Sequence, residues 1–167
     1  MKQWLDSAIE RGAVPVLTGS NGDMDTIGSA IALSSIHPSL LACGLHLGRV
    51  AKRMVEDLQA PYRKIAPKGT AFPDQMGGII IVDAAAPDQV GIDLPSVPRL
   101  IIDHHATNAW ELQDGDLMIQ WDVRATTEII ASYMLEYAKE ALTEPVRKML
   151  LAGMITDTGR FLSLIHI

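Results

Sequence analysis

The apolar positions fall into short continuous runs separated by polar stretches rich in glycine and proline. Val14 to Thr18, Ile79 to Val82 and Leu100 to Ile102 read as buried strands, because brief apolar runs bounded by turn formers suit strands covered on both faces. Leu117 to Trp121 predicts a further strand, and Tyr62 to Ile65 a short one at the start of the irregular stretch Pro61 to Gly78. From Thr26 the pattern IGSAIALSS is helical, and it stops by His37 because the residue before Pro38 avoids the α region. A second helix is predicted across Leu40 to Leu58, with Val50, Met54, Val55 and Leu58 on one face and charges on the other. Further helices are predicted from Thr126 to Ala141, and from Glu144-Pro145 toward Asp157. Apolar strands separated by helices and long connections give the expected fold class: α/β, a mainly parallel sheet with helices on both faces.

Composition bounds the function. With 167 residues, 48% of them hydrophobic and 20% charged, the chain has the balance of one globular domain. No apolar run approaches the roughly 18 residues of a membrane span, and MKQWLDSAIERG carries charges where a signal peptide needs an apolar stretch. A cytoplasmic protein without membrane contact is therefore expected. The single cysteine, Cys43, reads as a small buried hydrophobe. A net charge of −6 argues against long duplex nucleic acid, which needs clustered Lys and Arg. It does not argue against small phosphorylated substrates, since a bound dication can dominate the local field. Oligomeric state stays open, a homo-oligomer included. Residues 162–167 (LSLIHI) read as a non-native tail resembling a translated sequencing adapter, so the natural chain is expected to continue past Phe161, and His166 is given no function.

Ligands of open parallel sheets bind beyond the carboxyl ends of the strands. Three apolar runs here end in chemistry: Asn21-Gly22-Asp23-Met24-Asp25 after the first, Asp83 after the second, Asp103-His104-His105 after the third. Each has a plain structural reading. Asp23 and Asp25 suit a turn and helix cap, Asp83 a strand end, and Asp157, in ITDTG, a helix end. Adjacent histidines after an aspartate have no such excuse. Gathered at one sheet edge, these carboxylates would repel unless a cation held them, and an oxygen-rich set with imidazole suits Mn²⁺ or Mg²⁺, with Fe, Co or Zn by occupancy.

The ordered segments GSNGDMDTIGSA, IIIVDAAAP, LIIDHHATN, ATTEIIASYML and LAGMITDTGRF resemble the successive motifs of the DHH phosphoesterases, over about residues 14–161. The resemblance implies a catalytic domain at 1–161 that lacks the family's C-terminal substrate-binding domain, so that the fragment alone is weakly active. It implies two divalent ions, first of all Mn²⁺ (Mg²⁺, Co²⁺ or Fe²⁺ otherwise), held by Asp23, Asp25, Asp83, His104 and Asp157, with Asp83 bridging. Asp103 is then expected to orient His104, and His105 to face the substrate phosphate as a catalytic group. Ser29, Arg124 and Arg160 are candidate phosphate contacts. One departure stands out: where the family usually carries a histidine four residues before its first motif aspartate, this chain has Gly19.

The function this implies is metal-dependent hydrolysis of a small phosphorylated nucleotide substrate, a short oligonucleotide or nucleotide bisphosphate. A pyrophosphate or polyphosphate hydrolase, and a nucleotide-binding regulatory module disabled at Gly19, are the alternatives. A dinucleotide-dependent oxidoreductase is disfavoured because the first loop lacks G-x-G-x-x-G spacing. Trp110 and Trp121 are expected to pack rather than stack on bases, Thr126 or its neighbour to cap its helix, and His37 and His46 to bind no metal.

Overall fold

The three central apolar runs pair on both sides in the computed structural model, which describes residues 1–158, while the two outer ones form the sheet's edges. The helices are α1 (Lys2–Arg11), α2 (Met24–Ser34), α3 (Arg49–Asp57), α4 (Thr126–Tyr137) and α5 (Glu144–Asp157). The strands are β1 (Val14–Thr18), β2 (Leu40–Gly44), β3 (Arg63–Lys64), β4 (Ile79–Val82), β5 (Arg99–Asp103) and β6 (Leu117–Gln120). They form one sheet of order β3-β2-β1-β4-β5-β6, with every pairing parallel. The chain leaves β1 toward one edge and returns at β4 to build toward the other. The C-terminal ends of β1 and β4, paired at Thr18 and Val82, are therefore the switch point where such sheets open a crevice.

Alternation along the strands divides the core. Val14, Val16, Ile80, Val82, Leu100 and Ile102 face a cluster that receives the buried residues of all five helices, among them Ile27, Ile31, Ile129 and Met149. Leu17, Cys43, Ile79, Ile81 and Ile101 face the other way, onto Val90 and Trp110. Both faces are covered, as a parallel sheet requires, but the second by a 3-10 turn at Pro87–Val90 and connecting segments rather than by helices.

One expected helix is corrected. Leu40 to Leu58 is not continuous: Leu40–Gly44 is a strand between β1 and β3, and only Arg49–Asp57 is helical. The run LLACG has no polar face to give a helix, and a Cβ on Gly44 would lie 2.0 Å from Thr18 Oγ1 of the adjoining strand. Helix α1, to which the sequence pattern assigned no element, buries Leu5 and Ala8 and is tied to the strand layer by Arg11, which donates to the Gly77 carbonyl at 2.8 Å. The helix expected to reach Ala141 ends at Tyr137, followed by a 3-10 turn.

Helices α2 and α5 meet at glycine: a Cβ on Gly28 would stand 2.7 Å from the Met149 carbonyl, and one on Gly153 3.2 Å from the Asp25 Cα and 2.5 Å from Thr127 Cγ2 of α4. That close approach brings the C-terminal end of α5 to the sheet edge. No helix among the described residues is long and apolar enough to cross a membrane. The expected tail at 162–167 lies outside them.

Candidate metal centre

The loop after β1 is built around a threonine. Thr26 Oγ1 accepts the Gly19 amide at 3.0 Å and donates to the Val82 carbonyl at 3.2 Å, fastening the loop to the end of β4. Gly22 turns with φ 60, and a Cβ there would sit 2.4 Å from the His46 carbonyl, so only glycine lets the two loops touch. Asp23 caps α2: its Oδ1 accepts the Thr26 amide at 3.0 Å and its Oδ2 the Asn21 amide group at 2.6 Å. Asp25 follows in the first helical turn, almost fully buried. Asp83 leaves β4 with φ 57, a left-handed conformation that aspartate tolerates better than most residues, while its amide stays bonded to the Ile102 carbonyl.

These carboxylates converge on one imidazole. His104 Nε2 lies 3.5 Å from Asp83 Oδ1, 3.7 Å from Asp157 Oδ2 and 4.0 Å from Asp25 Oδ2. Asp25, His104 and Asp157 form one group of donor atoms within 4.8 Å of one another, and Asp83, His104 and His105 a second. Asp25 is held from across the fold: its Oδ2 accepts the Thr126 amide at 2.7 Å, and its Oδ1 accepts the Thr127 amide at 2.8 Å and hydroxyl at 2.6 Å. The N-cap position of α4 is Ala125, which offers no capping side chain. The buried carboxylate of Asp25 thus supplies the cap and sits at the positive end of that helix. Thr126 Oγ1 reaches Asp83 Oδ1 at 3.2 Å.

Electrostatics show what the site lacks. Burial, reinforced by Asp83, pushes the Asp25 carboxyl up to about 7 against the amide and hydroxyl bonds that favour its charge. Burial likewise raises Asp23 and Asp157. The hydrogen bond and charge of Asp83, with Asp25 and Asp157 beyond, raise His104 to about 9 against the opposing effect of burial. Among the described residues no lysine or arginine forms an ion pair with Asp25, Asp83 or Asp157; His104 and His105 are the basic groups against them. Carboxylates crowded around an imidazole at a strand-end crevice are the donor set a hard divalent cation takes, so the residues fit the metal the sequence implied.

Most of the expected ligand set comes together. Asp25, Asp83, His104 and Asp157 converge; Asp23 lies outside both donor groups, close enough only to feel Asp83 and His104. The role expected of Asp103 is corrected. Its Oδ1 bonds His105 Nδ1 at 2.6 Å and the His104 amide at 2.9 Å, so the ring it orients is His105, not His104. One carboxylate oxygen of Asp103 thus meets the backbone of the residue after it and the ring of the residue after that. Ser29, a candidate phosphate contact, is fully buried in α2, with no hydrogen-bond partner for its hydroxyl among the described residues. Arg124 is exposed before α4, its backbone amide bonded to Glu128, while Arg160 lies outside the described residues. Trp110 packs as expected, its indole N–H on the Ala84 carbonyl. The expectation that Thr126 or its neighbour caps its own helix is corrected: both threonines lie inside α4 and bond Asp25 and Asp83, a site role that sequence reasoning missed. Two threonines after an alanine that cannot cap were the available sign that the cap comes from elsewhere.

An open parallel α/β sheet with a donor set suited to a divalent cation at its switch point is the class of architecture that the fold and site define. A sequence profile of the DHH family, N-terminal domain, matches residues 13–156, and the chain belongs to that family. Among solved structures it is similar to a Methanococcus jannaschii protein assigned as a family II inorganic pyrophosphatase, with 24% identity and a TM-score of 0.70 over 89% of this chain. The chain spans about half of that protein, 49% of its length. No curated protein matches it in sequence.

Proposed function

We propose that this domain hydrolyses phosphoester or phosphoanhydride bonds of small phosphorylated substrates with the help of divalent ions, Mn²⁺ foremost. The observation that carries the reading is the convergence on His104 of carboxylates from β4, α2 and α5, at 3.5 to 4.0 Å. Asp25, Asp83, His104 and Asp157 would hold the ions, with Asp23 at the margin. Ions there would neutralise phosphate charge and lower the pKa of a bound water, the standard contribution of a two-metal site.

The chain's own residues do the rest. Asp103 accepts the Nδ1 proton of His105 and fixes that ring, leaving Nε2 directed away from the carboxylate on a side chain 45% exposed. In the neutral ring Nε2 accepts a proton; in the imidazolium it donates one to a phosphate or leaving-group oxygen. Thr126 and Thr127 keep Asp25 and Asp83 in place without the reorganisation that would otherwise accompany each turnover.

The test is release of phosphate or mononucleotide from a panel of short oligonucleotides, nucleotide bisphosphates, pyrophosphate and polyphosphate with Mn²⁺. Turnover that is lost in Asp83→Asn supports the reading; no turnover of any substrate, with metal bound, overturns it. A second reading, pyrophosphate hydrolysis, is favoured by the likeness to the M. jannaschii protein, and turnover confined to pyrophosphate would establish it. A cytoplasmic location is part of the proposal; the regulatory module is its rival, and nucleotide binding without turnover, with turnover gained in Gly19→His, would make the protein a sensor.

A further inference from the structure

The three tryptophans differ in what they are committed to. Trp4 donates its indole N–H to the Gly115 carbonyl at 2.9 Å, and Trp110, 7% exposed, donates to the Ala84 carbonyl. Trp121 is 46% exposed, and no hydrogen bond holds its indole among the described residues. It is also the tryptophan beside the reactive edge. It is the first residue after β6, and its amide lies 3.4 Å from the carbonyl of Asp103, the residue whose carboxylate orients His105. The preceding Gln120 donates through its side chain to the His105 carbonyl and accepts from the Asn108 side chain at 3.1 Å. Arg124, three residues on, is exposed, and its guanidinium makes no ion pair among the described residues.

An exposed indole alone is ordinary surface. An exposed indole tied through Asp103 and Gln120 to both sides of His105, with an exposed arginine three residues further along the chain, is the set of parts that recognises a nucleoside phosphate: a flat face for the base and a cation for the phosphate. A bare pyrophosphate has no apolar surface with which to cover the ring. Resting on the hydrolase reading above, we propose that Trp121 is the platform on which the base of a nucleotide substrate stacks while its phosphate lies at His105. The site thereby prefers nucleotides over phosphates without a base.

The experiment uses the whole chain with Mn²⁺ and compares AMP with ribose 5-phosphate, by calorimetry and by tryptophan fluorescence. AMP is expected to quench the exposed tryptophan and to bind about tenfold more tightly than ribose 5-phosphate, the usual scale of a single base–aromatic stack. Trp121→Ala abolishes both the quench and the preference, while Trp121→Phe retains most of the preference. Equal affinity for the two ligands, or a preference that survives Trp121→Ala in a protein of unchanged circular dichroism, overturns the proposal. Hydrolysis without a base preference leaves the hydrolase reading standing and sinks this one. A base preference lost in Trp121→Ala, with no turnover of any substrate, does the reverse.

Discussion

Asp25 and Thr127 are separated by about a hundred residues of sequence, yet one oxygen of the aspartate accepts both the amide and the hydroxyl of the threonine, at 2.8 and 2.6 Å. Helix α2 therefore caps α4, and the carboxylate that would bind an ion also starts a helix.

The first prediction concerns that joint. A Cβ on Gly153 of α5 would stand 2.5 Å from Thr127 Cγ2 and 3.2 Å from the Asp25 Cα, so Gly153→Ala must push Thr127 off Asp25 or part the helices. We expect a loss of about 1–3 kcal/mol in urea unfolding, typical of overpacking, together with weaker Mn²⁺ binding by calorimetry. Thr127→Val keeps the shape and removes only the hydroxyl. It should cost about 1 kcal/mol and lower metal affinity by roughly tenfold, as loss of a group that orients a ligand does. Unchanged metal affinity in both variants would show that the cap is structural alone.

The second concerns His105. Asp103→Asn presents either an amide oxygen or an amide N–H to Nδ1, and loses the charge that stabilises the imidazolium. Turnover should fall by about 100-fold or more, and the pH profile of kcat/KM should shift. Metal stoichiometry should be retained, because the Asp103 carboxylate bonds the His105 ring and the His104 amide and leaves Asp25, Asp83, Asp157 and the His104 ring in place. Loss of bound metal in this variant would return Asp103 to the role of orienting His104.

The third is a pH dependence. His104, raised to about 9 from an ordinary 6.5, gives the metal-free protein stability that is full below pH 6.5 and lost as pH rises through 9. Asp25, raised from 3.8 to about 7, acts in the same direction at lower pH: the folded state holds its proton longer, so stability falls as pH rises from about 4 to 7. The melting temperature of chelated protein should thus decline from acid to alkaline pH. With Mn²⁺ in excess the trend should reverse, because the ion competes with those same protons and stabilises the folded state by mass action. Parallel curves with and without metal would rule out these groups as its ligands.

The fourth concerns the position where the family's histidine is missing. A Cβ on Gly19 would lie 3.0 Å from the Asp83 carbonyl and 3.1 Å from Asn21 Oδ1. The amide side chain can turn away, but the carbonyl belongs to Asp83, the metal donor held in a left-handed conformation. Gly19→Ala should therefore destabilise by about 1 kcal/mol, and Gly19→His should bear the same strain while tightening binding of the ion nearest Asp23. Mn²⁺ titration followed by paramagnetic resonance separates the two effects. A histidine variant that binds metal no better than alanine would show that Asp23 does not serve an ion.

What the sequence determined was what local chemistry can fix. Apolar runs such as Ile79–Val82, too short for helices and bounded by turn formers, specified strands, and the Asp and His residues at their ends specified the edge where chemistry would gather. The helical spacing after Thr26 and the Pro145 start of α5 were equally local. Tertiary structure decided the cases in which the deciding partner is remote. Whether Leu40–Gly44 is strand or helix depends on β1 and β3 lying on either side of it. The cap of α4 depends on Asp25, and which histidine Asp103 holds depends on the turn of chain just after it. Burial of Ser29 and exposure of Trp121 likewise follow from packing between helices and from position at the sheet edge. Periodicity records the solvent each residue will meet along its own element; hydrogen bonds and contacts between elements appear only once the chain has brought them together.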